Sequence, residues 1–269
     1  MKKSTAIIFS FCALTASVLA EDTNLLKNGN FARGKTNWVT AGTVTEEADA
    51  GVLTLNGNAN RAVSRQVIEL DANATYKISA KITVDKKLNQ VIFGVIPVSR
   101  QNYDIYYRNA NGAKKDTLTT LAEAYQKGMT TIVLKDNPAW KGTGWVAFNA
   151  KEDMSDLPNF TIVYFKKFER KDGKIYINLA KAYNRSYAAG TQVRLHVDGA
   201  TYPYTSIIRK GLPGKLDVSG MIGKDAKVKF PVGTVGFKAL IMVLPVQAAK
   251  DVKVEIRDMK IEKAAPAAK

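Results

Sequence analysis

A period-two alternation of apolar and polar residues is the feature that most constrains what this chain can fold into. From Tyr76 to Val84 every second residue is apolar and the residues between are polar, as in a strand with one buried face. The same alternation recurs at residues 53–55, 193–197 and 252–256. This pattern predicts a mainly β fold built from antiparallel strands.

Two local signals refine the strand prediction. Asp172 and Gly173 stand between two apolar segments, and because this pair tolerates positive φ angles, we predict a single hairpin over Phe160–Leu179. In the last strand the apolar phase slips by one residue after Ile256. An extra residue at Arg257 or Asp258 would produce that slip, which predicts a β-bulge.

One segment has helical rather than strand spacing. Asp116 or Thr117 could cap its start, and Gly128 could end it in the left-handed conformation. The apolar residues between fall at i, i+3, i+4 and i+7: Leu118, Leu121, Ala122 and Tyr125. We therefore expect one short helix of about ten residues in an otherwise β-rich chain.

The first twenty residues have the pattern of a secretory signal peptide. Lys2 and Lys3 precede an apolar run at residues 6–14, and small residues close the segment at Ala20. Residues 1–20 are therefore predicted to be removed on export to the periplasm or the medium. The cleavage also removes Cys12, the one cysteine of the chain, so the mature protein would form no disulfide. No later segment has the length and apolarity of a membrane-spanning helix.

Three segments resemble one known family. These are Asn24-Leu-Leu-Lys-Asn-Gly-Asn-Phe31 followed by Trp38, the segment Gln66–Ala80, and the segment Val254–Ile261. Together they resemble carbohydrate-binding modules of the family 4, 9, 16 and 22 group. The resemblance implies a galactose-binding-like jelly roll, an antiparallel β-sandwich in which strands from both ends of the chain share two sheets. It also implies carbohydrate binding.

The resemblance covers the two ends of the chain and leaves the centre unmatched. We therefore predict a discontinuous sandwich from residues 21–112 and 205–263, with a small β-rich domain inserted at residues 113–204. Insertion at a loop is tolerated because the entropic cost of closing a loop rises slowly with its length. Residues 264–269, rich in Ala and Pro, are expected to form a flexible tail.

Sugar binding needs aromatic faces with hydrogen-bonding groups around them, and the densest such cluster is at residues 103–108. If this segment is extended, one face carries the candidate binding residues Asp104, Tyr106 and Arg108. The opposite face, with Tyr103, Ile105 and Tyr107, would then be core. An exposed polar edge strand is the alternative interpretation.

Three more aromatic residues are candidates for carbohydrate binding: Trp140, Tyr202 and Tyr204. Tyr202 and Tyr204 are two residues apart, so their rings could lie on one face. Trp145 lies in an apolar segment and is expected to be core, and Trp38 matches a position that the resemblance implies is structural. For each candidate, core packing is the competing interpretation.

Metal and cofactor chemistry has little support in the sequence. His196 is the one histidine, its alternation predicts that it faces solvent or a neighbouring domain, and zinc or iron would lack ligands. The resemblance implies a structural calcium ion with Asp258 as an oxygen ligand. The acidic residue that the family has after its Asn-Gly-x-Phe motif is Ala32 here, so forms with and without calcium both stay open. No cofactor is expected to be required.

No catalytic motif is present in the sequence. Glu152, Asp153 and Asp156 are clustered acids, as a glycosidase would need, but beside a Pro-Asn turn they are expected to be solvated loop charges. The G-x-S-x-G pattern of many hydrolases does not occur. We therefore expect a protein that is not an enzyme.

The charge of the chain bears on its partner. Forty Lys and Arg residues against 24 Asp and Glu give a formal charge of +16, which favours an anionic partner. Export argues against nucleic acid, so an acidic polysaccharide or cell-envelope glycan is the expected partner. The alternatives are a structural or adhesive envelope protein that uses the sandwich as scaffold, and an accessory component of a glycoside-hydrolase system. The sequence does not set the oligomeric state.

Overall fold

The structure is a computed structural model, and it describes residues 23–85, 90–209, 214–244 and 252–265. The predicted signal peptide and most of the predicted tail lie outside these ranges. Within them the chain is mainly β, as predicted, and the helical elements are two three-residue 3₁₀ turns, at Tyr107–Asn109 and Lys115–Thr117.

The described strands fall into three groups along the chain. The first group is β1 (Trp38–Thr40), β2 (Thr43–Glu46), β3 (Gly51–Leu55), β4 (Arg61–Ser64), β5 (Ile68–Glu69), β6 (Thr75–Val84) and β7 (Gln90–Ser99). The central group is β8 (Thr119–Thr120), β9 (Thr131–Lys135), β10 (Gly144–Phe148), β11 (Ile162–Phe165), β12 (Phe168–Lys171), β13 (Lys174–Asn178) and β14 (Gln192–His196). The last group is β15 (Tyr204–Arg209), β16 (Gly214–Gly223), β17 (Thr234–Leu244) and β18 (Val254–Lys263).

The first and last groups of strands together form two antiparallel sheets. One sheet has the order β1-β4-β17-β7-β15, with β5 paired to β17, and the other has the order β16-β6-β18-β3-β2. Alternate residues of both sheets meet in one core, which includes Phe93 and Phe237 from the first sheet and Tyr76 and Ile256 from the second. The result is an antiparallel β-sandwich in which the two ends of the chain share a core.

The central group of strands forms two further sheets. Their orders are β11-β10-β14-β8 and β12-β13-β9, and each pairing is antiparallel. A separate hydrophobic core lies between these two sheets and contains Phe148, Leu195, Leu134 and Ile177. The central strands therefore bury their own apolar faces, as a self-contained unit would.

The predicted turn and bulge are both confirmed. Asp172 and Gly173 have φ angles of 51° and 70° and join β12 to β13. The hairpin is shorter than the predicted Phe160–Leu179, because the segment up to Phe165 is β11 and pairs with β10 instead. In β18 the register shifts between Arg257 and Lys260, and Asp258 has a φ of 49°.

The prediction of a helix from Leu118 to Tyr125 is wrong. Thr119 and Thr120 form β8 and pair with β14, and Leu121 and Tyr125 make isolated bridges to Leu134 and Tyr187. An isolated helix of this length is marginal in water, so hydrogen bonds to distant strands outweigh the local helical spacing. The four apolar residues are spaced as on a helix, but the segment forms a short strand, two isolated bridges and a bend.

The outer face of the first sheet is covered rather than exposed. All residues of β7 from Val91 to Ser99 are buried, including those that point away from the main core. Ile96 and Leu240 on this outer face pack against Tyr202, and Tyr106 and Tyr204 pack around the same cluster. The chain that joins the two groups of sheets therefore lies on this face, and it carries most of the predicted binding residues.

Candidate functional site

Two connecting segments run side by side between the sandwich and the central sheets. The amide of Tyr107 donates to the carbonyl of Thr201 at 3.2 Å, and the amide of Val197 donates to the carbonyl of Gly112 at 2.9 Å. We call residues 104–112 and 197–203 the connecting ribbon. This pairing brings together residues that are about 90 positions apart in sequence.

The predicted alternation of faces across residues 103–108 is wrong. The amide of Tyr106 donates to the side-chain oxygen of Asn109 at 3.0 Å, and the amide of Asn109 donates back to the carbonyl of Tyr106 at 2.9 Å. This local closure starts a 3₁₀ turn and ends the extended pattern. Of the three residues assigned to the core face, Ile105 is fully buried and Tyr103 is 58% exposed. Tyr107 is half-buried.

Tyr202 and Tyr204 lie in one cluster, as predicted for rings on one face, and Tyr106 joins them, but these side chains are partly used for packing. The Tyr106 and Tyr202 rings are 5.3 Å apart between centroids, and Tyr202 is buried. Burial raises the pKa of Tyr204, so its phenol stays neutral in the ordinary pH range. Asp104 makes a 2.9 Å ion pair with Lys238 on the outer face of the first sheet.

Arg108 is held between two aromatic rings. Its guanidinium carbon lies 4.6 Å from the centroid of the Tyr106 ring and 4.4 Å from the centroid of the Trp145 ring. Asp198 lies 3.7 Å from Nη1 of Arg108 and accepts a hydrogen bond from Nε1 of Trp145 at 3.1 Å. Both rings therefore hold the guanidinium by cation–π contacts, and its N–H groups remain the donors for polar partners.

A fourth planar group extends the arrangement toward solvent. Tyr164 on β11 is the cross-strand neighbour of Trp145 on β10, their ring centroids are 5.3 Å apart, and Tyr164 is 44% exposed. We call Tyr106, Arg108, Trp145 and Tyr164 the aromatic–arginine row. It starts on the ribbon and ends on the outer face of a central sheet.

Sequence reasoning missed Trp145, Tyr164 and Asp198. Trp145 was expected to be core, but Val146 and Phe148 occupy the inward positions of β10, so the alternation places Trp145 on the opposite face. The alternation of residues in the sequence alone could have shown that Trp145 faces away from Val146 and Phe148. The pairing with Tyr164 and the contact with Arg108 could not be predicted from the sequence, because both depend on how distant segments meet.

The prediction that Trp140 binds carbohydrate is wrong, because Trp140 is buried in the central core. Its ring stacks on Phe165 with centroids 6.0 Å apart, and its Nε1 donates to the carbonyl of Thr117 at 2.6 Å. A tryptophan whose ring is enclosed and whose single donor is satisfied has no group left for a ligand. Core packing, the competing interpretation, is what the structure shows.

A buried ion pair lies near the row. Arg194 on β14 and Asp156 have side chains that are 1% and 6% exposed, and Nη2 of Arg194 is 2.6 Å from the Asp156 carboxylate. Burial alone would raise the pKa of Asp156, but hydrogen bonds from Arg194, Asn159 and the Lys151 amide outweigh burial and hold this pKa below its usual value. The expectation of a solvated loop charge is therefore wrong for Asp156.

His196 is also buried, so it does not face solvent. Its Nδ1 is 2.6 Å from the carbonyl oxygen of Arg108, and its Nε2 is 3.4 Å from Nε of Arg194. The pKa of His196 is lowered to about 4, mainly by burial and also by the charge of Arg194, while the Arg108 carbonyl and the charge of Asp156 act to raise it. The imidazole therefore connects β14 to the ribbon as a neutral ring.

Asp258 lies at the bulge of β18, and its carboxylate is 2.9 Å from Nζ of Lys81. The neighbouring Met259 carbonyl lies close to Gly29, where an added side chain would meet it at 2.1 Å, so the N-terminal motif packs directly on the bulge. Within the described residues no three His, Cys, Asp or Glu side chains gather into a metal site. Calcium binding through Asp258 stays a prediction.

Among the described residues no helix has the length and apolar character needed to cross a membrane. No protein-family model matches the chain, and no curated protein matches its sequence.

Proposed function

We propose that this protein is an exported carbohydrate-binding protein that is not an enzyme, and that the aromatic–arginine row is its binding surface. The observation that carries the proposal is the row together with Asp198, which places exposed aromatic surface beside a guanidinium and a carboxylate. Sugar rings present apolar C–H faces and a rim of hydroxyl groups, so they fit aromatic surface flanked by such donors and acceptors.

Arg108 of the row and the neighbouring Asp198 are suited to bind sugar hydroxyl groups. The side chain of Arg108 is 29% exposed and that of Asp198 is 57% exposed, so both can reach a bound molecule. Tyr106 and Trp145 fix the guanidinium, which reduces the entropy that binding would otherwise cost. Arg108 and Asp198 supply donors and acceptors beside the exposed ring of Tyr164.

A role without catalysis is supported by the state of the acidic residues considered for hydrolysis. Asp156 is committed to a buried pair with Arg194, so its carboxylate cannot act on a sugar at the surface. Glu152 and Asp153 are exposed in the same loop. Export to the periplasm or the medium is supported by the sequence pattern of residues 1–20 alone.

A glycan array, probed with residues 21–269 at low and high salt, tests the proposal. Specific binding should persist at 1 M salt, where the Debye length is about 3 Å, whereas adhesion through exposed charges should fall away. A scaffold protein would show no saturable binding, and a hydrolase would release reducing sugar from the bound glycan.

The site is then tested on the glycan that binds best. Tyr164→Ala should weaken binding by about 1–3 kcal/mol, as aromatic truncations at binding surfaces do. Arg108→Lys should also weaken it, because lysine keeps the charge but cannot stack between two rings. The matched control is Tyr103→Ala, an exposed tyrosine outside the row. Equal losses in Tyr164→Ala and Tyr103→Ala, measured by calorimetric titration, would refute the assigned site.

A further inference from the structure

A cleft lies beside the connecting ribbon, and none of the four residues of the row lines it. It has a volume of about 490 Å³. The ribbon side contributes Ile105, Tyr107 and Pro203, and Tyr204 at the start of β15 extends this wall. The other wall is formed by Lys227, Val228, Lys229 and Pro231. The cleft therefore has one aromatic wall and one wall that carries lysines.

The aromatic wall is held in place by glycine. Gly199 lies under the ring of Tyr107 so closely that a Cβ on Gly199 would come within 2.6 Å of Cε1 of that ring. A Cβ on Gly94 would likewise come within 3.2 Å of Cδ1 of Tyr204. Backbone supports both rings from one side, and both tyrosines are half-buried, so part of each ring borders the cleft.

The wall formed by residues 227–231 carries two lysines, and hydrogen bonding to β16 holds its backbone in place. Val228 is bridged to Ile222, and the amide of Gly223 donates to the Val228 carbonyl at 3.1 Å. Val228 packs against the main core, so Lys227 and Lys229 on either side of it are exposed and border the cleft.

Lys227 and Lys229 pair with no carboxylate among the residues that the structure describes. Nζ of Lys229 donates to the carbonyl of Lys224, which leaves its charge uncompensated. Four other described lysines of the sandwich are paired with carboxylates: Lys81, Lys238, Lys253 and Lys263. Two unpaired ammonium groups beside aromatic surface attract an anion that also has an apolar face.

We propose that this cleft binds a sugar unit that carries an anionic substituent. The sugar ring packs on Tyr107 and Tyr204, and its carboxylate or sulfate group pairs with Lys227 and Lys229. This inference rests on the proposed function, and it adds the substrate class, an acidic glycan, together with a subsite distinct from the row.

The test uses glycan pairs that differ only in charge: oligogalacturonate with its carboxyl-reduced form, and sulfated galactan oligosaccharides that contain no uronic acid with their desulfated form. The double variant K227A/K229A should bind the better acidic member about tenfold or more weakly, because each charge-assisted hydrogen bond contributes substantially to affinity. Binding of the neutral or desulfated member should not change. The two acidic probes show whether the cleft takes a carboxylate or a sulfate.

The matched control is K166A/K167A, which removes the same charge from two exposed lysines outside the cleft. Equal weakening in both double variants would show a general charge effect and overturn the inference. Preference of the unsubstituted protein for the neutral members would also overturn it while leaving carbohydrate binding intact. If the protein retained no glycan of any kind, the proposed function would fail and this inference with it.

Discussion

Arg108 takes part in two separate contacts, one through its side chain and one through its backbone. Its guanidinium stacks between Tyr106 and Trp145, and its carbonyl oxygen accepts from Nδ1 of His196. A carbonyl oxygen can only accept a hydrogen bond, so Nδ1 of His196 carries the proton. Nε2 is then unprotonated and can accept a hydrogen bond from the guanidinium of Arg194, which can only donate. One neutral tautomer satisfies both neighbours of His196.

This arrangement predicts how stability depends on pH. In the unfolded chain His196 has a pKa near 6.5, and in the fold burial lowers the pKa to about 4. Between these values the unfolded state takes up a proton that the folded state does not bind. The free energy of unfolding should therefore fall as pH decreases from about 6.5 to about 4, by up to about 3 kcal/mol.

His196 is the one histidine of the chain, so NMR can follow its ring without ambiguity. We expect its Cε1–H resonance to stay unshifted until the pH is close to 4, and His196→Asn to flatten the stability profile between pH 6.5 and 4. A midpoint near 6.5 in the folded protein would show that the ring is not enclosed as described.

At the scale of elements, the hairpin and the failed helix differ in what stabilises them. The β12–β13 turn requires positive φ at both positions, and Asp172 and Gly173 supply it from their own chemistry. Helical spacing at residues 118–125 supplies only a preference, and the amides there bond to distant segments, as Leu121 does to the carbonyl of Thr191. A turn that needs particular residues is more reliable to predict than a short helix.

The hairpin gives a prediction with one physical cause. A Cβ added at Gly173 would meet no atom within 4 Å, so Gly173→Ala brings no clash. Its φ of 70° is costly for alanine, and we expect the variant to lose about 1–2 kcal/mol of stability. Asp172→Gly is the control and should not destabilise the protein. Thermal or urea unfolding of both variants measures the difference, and a neutral Gly173→Ala would mean that the turn is not of this type.

At the scale of the whole molecule, the sandwich depends on its last strand. β18 lies between β6 and β3, and Val254, Ile256, Met259 and Ile261 are fully buried. Losing one large buried side chain costs about 2–5 kcal/mol, against a total stability of about 5–15 kcal/mol for a typical domain. A chain without residues 254–269 should therefore lose the cooperative unfolding of the sandwich.

The control for this truncation removes residues 266–269 only, which takes away no part of the described sheets. Calorimetry should then show an unchanged transition, whereas the longer truncation should abolish the transition of the sandwich. Survival of that transition without β18 would mean that the N-terminal strands form a core alone.

The sequence by itself determined the features that are encoded over a few neighbouring residues. Alternation predicted β6 and β14, Asp172-Gly173 predicted a hairpin turn, and the slipped phase after Ile256 predicted the bulge. Each of these depends on side chains pointing to alternate faces or on the φ angles that a residue tolerates. Such properties are set locally, so a correct interpretation needs no knowledge of the partner.

The tertiary structure alone decided which residues are available to a ligand. It enclosed Trp140, left Trp145 partly exposed against Arg108, and buried His196 and Asp156 with Arg194. An aromatic ring or a charge can be satisfied by a core or by a ligand, and the outcome depends on which distant segment packs on it. The connecting ribbon settled this, because it pairs segments about 90 residues apart and so places each side chain against neighbours that no local pattern specifies.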